Sequence, residues 1–379
     1  MFVNLVQVLA LVATVQGAVA KPRNAIDDLQ NQAIATLKGV KTHGPQKCTL
    51  SKAAVRKDWA TMSGKERKAY TTAVQCMLDS PSKSDPALVP GARNRYDDFV
   101  GQHINQTLTI HGTGNFLTWH RQFVYAYEKA LREECNYAGY QPYWNWFTHQ
   151  SNLKASPVFD GSATSMSGDG SFVSHNGSVG GGGAIFLPSG EGGGCIQSGP
   201  FKSMTVNLGP VSPTMRGQEK VNGSLSYNPR CLKRDLTTAA SSGWLTEANL
   251  LNITTGAASG SVKLFQNELQ GRFSDGFLGL HAAGHFSIGG DAGDIFSSPV
   301  DPVFFLHHAM LDRVYWMWQA LHLDQANTVA GTLTLNNKPA SRDTTLEDLI
   351  RTNWLGVEDT RIGDLTDTLG GAALCYIYQ

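Results

Sequence analysis

Six of the eleven histidines in this chain fall into two trios with related layouts, His103, His111 and His120 in one and His281, His285 and His308 in the other. Three imidazoles meet around one ion only if the segments carrying them converge. The pattern therefore implies two metals and a fold that gathers distant stretches around them. His281 and His285 stand four residues apart, one turn along a single helix face. His308 follows inside a strong helical signal, with Asp301 at the cap, Pro302 in the first turn, and then VFFLHHAMLDRVYWMWQALHL. His120 lies on a long helix read from WHRQFVYAYEKALREEC, capped by Asn115, where it shares a face with Val124, Tyr127 and Leu131. His103 sits near the end of a helix over residues 93–107 that repeats Tyr96, Phe99 and Val100 at helical spacing, and His111 lies in the loop after it.

Imidazole ligands suit zinc, copper, iron and nickel alike. A zinc-protease helix would read HExxH with Glu as the general base, whereas Ala282, Ala283 and Gly284 separate the histidines here. A blue-copper site needs a nearby cysteine ligand and a di-iron bundle needs carboxylates, and neither accompanies these trios. What remains is a pair of neutral all-histidine sites able to hold copper(I) and share two electrons with dioxygen. Asp312, one turn after His308, is placed to orient an imidazole or a neighbouring arginine such as Arg313, and an ordinary ion pair with Arg313 or another arginine is the plain alternative. Phe304, one turn before His308, lines the same face and would keep the metal dry, although Phe304, Phe305 and Trp316 also read as core. His43, His149, His175, His307 and His322 lack such context and read as surface or packing residues.

With 379 residues, 41% of them hydrophobic and 16% charged, the chain can bury a large core. Lys plus Arg balances Asp plus Glu at 31 each, without a basic run, which argues against nucleic acid as a partner and favours a small neutral ligand. Residues 1–20 read as a secretory signal that ends at Ala18-Val19-Ala20, leaving 21–379 as one exported domain with no membrane-spanning segment. The six cysteines suit three disulfides in an exported chain. The pairing expected is Cys48 with Cys375, Cys76 with Cys135 and Cys195 with Cys231, which nests the termini, the first helices and the central loop separately. Asn105, Asn176, Asn222 and Asn252 open Asn-x-Ser/Thr triplets compatible with glycosylation. Two successive helices are read after Ser51, the second opened by a capping box from Ser63 to Glu66, and further helices over 262–273 and around LHAAGHF. Residues 161–200, with GGGG at 180–183, read as a long loop without regular elements. The fold class expected is mainly α, an antiparallel helical bundle core with long irregular Gly-rich loops and a few short strands near the C-terminus.

The stretch from Arg93 to Cys135, with its HxxxxxxxHxxxxxxxxH spacing, resembles the first copper-binding region of tyrosinases and catechol oxidases. HAAGH together with DPVFFLHHAMLDRVYW resembles the second, and the whole is most like the short fungal polyphenol oxidases from about residue 45 onward. The resemblance implies that the bundle holds a dicopper centre with two copper ions, and it selects His308 over His307 as the ligand of the HH pair. It marks Ala282, Phe286 and Ile295 as the substrate rim. Tyr376-Ile-Tyr378 resembles the tyrosine motif that closes the family's catalytic domain, and with nothing after it the shielding domain of longer relatives is expected to be missing. Three positions depart from the family pattern: Thr109 stands where many members carry a thioether cysteine, Asn145 replaces the Asp of YWDW, and Ala282 replaces an Asn often found after this histidine in monophenol-hydroxylating members. The function so implied is that of a secreted catechol oxidase, a monomer or weak homo-oligomer that oxidises o-diphenols to o-quinones while O2 is reduced to water. The alternatives are a tyrosinase that hydroxylates monophenols, an o-aminophenol oxidase, a haemocyanin-like oxygen carrier and, more distantly, a zinc hydrolase.

Overall fold

The hydrophobic spacing of the sequence becomes ten helices in the computed structural model, which describes residues 24–40, 48–370 and 374–379. The segment expected to be a signal, and His43, lie outside the described residues. The helices are α1 (Ala25–Gly39), α2 (Gly64–Asp79), α3 (Arg95–Ile110), α4 (Phe116–Glu134), α5 (Thr238–Trp244), α6 (Glu247–Thr254), α7 (Val262–Gln270), α8 (Gly279–Ile288), α9 (Val303–Leu321) and α10 (Ile362–Leu365). α9 is buried from Val303 to Ala320, and a helix apolar all round belongs at the centre. It packs against α4 on one side and α8 on another, with α1 laid over it, while α3 completes the core beside α4. Only residues 111–115 separate α3 from α4, so the two run back against each other. The capping box of α2 forms as expected, with the Glu66 amide donating to Ser63 Oγ and the Ser63 amide to Glu66 Oε2.

The strands are short: β1 (Ala54–Arg56), β2 (Gly170–Phe172), β3 (Ser178–Gly180), β4 (Ile185–Leu187), β5 (Gly193–Ile196), β6 (Thr205–Val206), β7 (Arg230–Cys231), β8 (Leu349–Ile350), β9 (Thr360–Arg361) and β10 (Tyr376–Tyr378). They form five separate two-stranded ladders, of which only β1 with β10 is parallel. All three disulfides pair as expected, Cys48 with Cys375, Cys76 with Cys135 and Cys195 with Cys231.

Four local expectations are corrected. The first helix read after Ser51 is instead β1 followed by a single 3-10 turn at Trp59–Thr61, because the backbone there pairs with β10. The Gly-rich stretch holds the β2–β5 and β3–β4 ladders, since glycine lets backbones approach where side chains would collide. α7 ends at Gln270, where Gly271 turns to a φ of 109°. Asn115 precedes α4 but does not cap it; its Oδ1 accepts from the Thr113 hydroxyl instead.

One buried carboxylate ties these parts together. Asp312 Oδ1 accepts from Arg121 Nε on α4 at 2.6 Å, and Oδ2 accepts from Arg56 Nη1 on β1 at 3.3 Å and from the Tyr376 and Tyr378 hydroxyls on β10 at 2.5 and 2.6 Å. Arg56 also donates to Glu128 Oε2 at 2.9 Å. Burial alone would raise the Asp312 carboxyl, but Arg121, Arg56 and the two hydroxyls outweigh it and hold the group below the usual carboxylate range. Asp312→Ala, which leaves the buried Arg121 guanidinium without its carboxylate and Arg56 with Glu128 alone, is expected to lower unfolding free energy by about 3–5 kcal/mol at pH 7 in urea titrations. Because the folded-state value is depressed, this contribution is complete above the unfolded value of about 4 and is lost as pH falls through the folded one. The gap between wild type and variant should therefore persist at mildly acid pH and narrow only in stronger acid.

Candidate metal centre

Each trio converges. The ligand atoms of His103, His111 and His120 lie within 4.8 Å of one another, and so do those of His281, His285 and His308. Helix geometry does much of this, since α8 stacks His281 over His285 and α9 carries His308 alongside them. Main-chain carbonyls fix the rings: Nδ1 meets Phe296 O at His103 (2.7 Å), Thr107 O at His111 (3.0 Å), Phe116 O at His120 (2.8 Å) and Ala292 O at His285 (3.0 Å). A carbonyl can only accept, so each of these four Nδ1 atoms carries the proton and each Nε2 offers a lone pair.

Those lone pairs turn inward. Nε2 of His103 and of His120 is buried without a hydrogen-bond partner among the described residues. In the second trio His285 Nε2 stands 3.2 Å from His281 Nε2 and 3.1 Å from His308 Nε2. Ring nitrogens that converge in this way are the donor set of a metal ion. Burial, reinforced by the neighbouring imidazoles, pushes His103, His120, His281, His285 and His308 well below the ordinary histidine value, and burial takes His111 down to about 4. All six are thus neutral at physiological pH, the form that binds metal.

The trios face one another. The rings of His120 and His308 stack at 4.5 Å and 19°, and those of His111 and His281 at 6.0 Å and 20°. Phe304 stacks on His308 at 4.0 Å and meets His103 edge-on at 5.2 Å. Phe116 was missed: it lies 4.9 Å from both His120 and His281, and its position one turn before His120 on α4 was the available signal.

The expected role of Asp312 is corrected in part. Its arginines are Arg121 and Arg56, and its bonds run to them and to the tyrosines, not to an imidazole or to Arg313, whose Nε donates to Gln30 Oε1. Asp312 thus braces the α9 helix that bears His308 without touching the ring. Asn145 uses its amide to cap a short turn at Phe147 N and to reach Asp58 Oδ2 at 3.3 Å. Thr109 is exposed and donates to Gln106 O. His281 and His285 are the most exposed of the six at 8% each, against 0–5% for the others; Ala282 and Phe286 follow them directly in the chain, and Ile295, 39% exposed, lies ten residues beyond His285.

His307, read as a packing residue, is buried and shapes the centre from behind. Its Nε2 meets His281 O at 2.9 Å, and its ring lies parallel to that of His281 at 6.1 Å. The close approach explains the small residues of HAAGH: a Cβ on Gly284 would stand 2.0 Å from His307 Cε1. Gly284→Ala is expected to destabilise the fold by about 1–3 kcal/mol through overpacking, and to lower metal content per folded chain because His281 loses its brace. Thermal melts paired with metal analysis of the purified variant check both.

The family model for the common central domain of tyrosinase matches residues 93–321, a span that holds both trios. The tyrosinase-like protein orsC of Emericella nidulans is 42% identical over 311 residues, covering 76% of this chain and 80% of that protein. N-acetyl-6-hydroxytryptophan oxidase ivoB of the same organism is 36% identical over 352 residues, covering 88% and 94%. A solved structure of a polyphenol oxidase variant from Thermothelomyces thermophila superposes with a TM-score of 0.86 at 38% identity, covering 93% of this chain and 97% of that one. The facing imidazole trios fit a type 3 dicopper centre, and the chain belongs to the tyrosinase family.

Proposed function

We propose that this chain is a secreted catechol oxidase, with residues 21–379 working as one catalytic domain. In this reading His103, His111 and His120 hold one copper ion and His281, His285 and His308 the other. The observation that carries it is the pair of facing, neutral, inward-directed imidazole trios. Bound copper supplies the redox capacity, so that two o-diphenols leave as o-quinones for each O2 reduced to two waters. The chain's own residues orient and enclose. Carbonyls of Phe296, Thr107, Phe116 and Ala292 keep the Nδ1 protons in place, so the Nε2 lone pairs stay free. Phe304 and Phe116 exclude water behind the rings, and Ala282, Phe286 and Ile295 receive the phenol ring in front.

Diphenol oxidation is favoured over monophenol hydroxylation because Ala282, beside His281, has no polar atom to draw a proton from a phenol. The relatives named as tyrosinase-like protein and as N-acetyl-6-hydroxytryptophan oxidase keep monophenol substrates as the second reading. Secretion is supported by the three disulfides, which persist in oxidising compartments, and among the described residues no helix is long and apolar enough to cross a membrane. Of the Asn-x-Ser/Thr sites, Asn105, Asn176 and Asn222 are exposed, whereas the Asn252 amide donates to Glu268, so glycans belong on the first three. A monomer or weak homo-oligomer suffices for this chemistry.

Metal analysis should find two coppers per chain, and oxygen uptake should be fast on catechol and slow on phenol and o-aminophenol when the three are measured side by side. Reversible O2 binding without catechol consumption would instead mark an oxygen carrier. Ala282→Asn is expected to raise phenol turnover relative to catechol, and an unchanged ratio would remove Ala282 from the explanation.

A further inference from the structure

The tip of one Gly-rich hairpin reaches the mouth of this centre. β3 and β4 pair with Val179 opposite Phe186 and Gly180 opposite Ile185, and Gly181, Gly182 and Gly183 lie in the turn. Gly182 and Gly183 have open space around them and φ values of 67° and 101°, so their glycine is a requirement of the backbone. Gly180 differs. Its φ of −123° suits any residue, yet a Cβ there would stand 2.5 Å from Cζ and 3.0 Å from Cε2 of Phe286. The next residue extends the contact, since a Cβ on Gly181 would stand 2.7 Å from Cβ of Phe273. Phe286 follows His285 directly, and His285 is one of the two most exposed imidazoles.

We propose that Gly180 is a specificity-determining positioning residue: by lacking a side chain it lets the Phe286 ring lie back against the hairpin. The room that ring leaves beside His285 then decides how large a substituent an o-diphenol can carry into the centre. This rests on the oxidase reading above and names the substrate class as diphenols substituted away from the two hydroxyls. The backbone at residue 180 tolerates alanine, so Gly180→Ala acts through the ring it displaces.

The test compares copper-loaded wild type, Gly180→Ala, Phe286→Leu and the double variant on catechol and on 4-tert-butylcatechol. Gly180→Ala should change the ratio of kcat/KM between the two diphenols at least about fivefold, mostly through KM, with kcat on catechol within about twofold of wild type. The double variant, in which the shorter leucine leaves room for the new methyl, should return to the ratio of Phe286→Leu alone. Unchanged ratios in both single variants, or additive effects in the double one, overturn the proposal. If Gly180→Ala alone yields no folded protein, the double variant decides: folding with the ratio of Phe286→Leu alone supports the proposal, and failure to fold or a different ratio overturns it. Calorimetric binding of resorcinol and 4-tert-butylresorcinol, which cannot form o-quinones, separates the two claims. A shifted binding ratio without any diphenol oxidation refutes the oxidase reading alone, and an unshifted one refutes the role of Gly180.

Discussion

The Asp312 carboxylate is the constraint on which the arrangement of this molecule depends. Four donors from three elements close on it, and it sits one turn along α9 from His308. A buried guanidinium with no carboxylate partner is severely destabilising, so Asp312 and Arg121 stand or fall together, while Arg56 is shared with Glu128. α9 is thereby held in a definite rotation against α4, the helix bearing His120. The stacked rings of His120 and His308 are the readout of that rotation at the metal centre.

Burial acts on the centre in two ways at once. It lowers the proton affinity of the six imidazoles, which keeps them neutral, and it removes water that would otherwise satisfy their ring nitrogens. The carbonyl partners come from helix turns and loop backbone, so the tautomer is written into the main chain at His103, His111, His120 and His285 and needs no second carboxylate. Small residues between His281 and His285 serve packing as much as chemistry, because Gly284 admits His307 to the back of the pair.

Much of this was legible in the chain of residues, where local spacing and metal chemistry agree. The four-residue step from His281 to His285, the capping box of α2 and the core face of α4 are local patterns that tertiary structure preserved. The failures have a shared cause. Residues 54–56 look helical by themselves and become a strand because Tyr376–Tyr378 lies beside them, more than 300 positions away. The Gly-rich ladders likewise depend on partners that no local window contains. Asp312 was visible as an orienting group, but the identity of its arginines required knowing that α4 and β1 meet α9. Gly180 carries no signal at all in sequence, since its meaning lies in an aromatic ring about a hundred residues later.

The parallel pairing of β1 with β10 has a consequence for how such a chain matures. Arg56 and Tyr378, hydrogen-bonded at 3.0 Å, are separated by 322 positions, so the brace behind His308 closes only after nearly all the intervening chain has been made. During vectorial synthesis the two histidine trios would be present well before the brace that holds them in register. The support behind His308 is accordingly among the last contacts of the fold that vectorial synthesis allows to form.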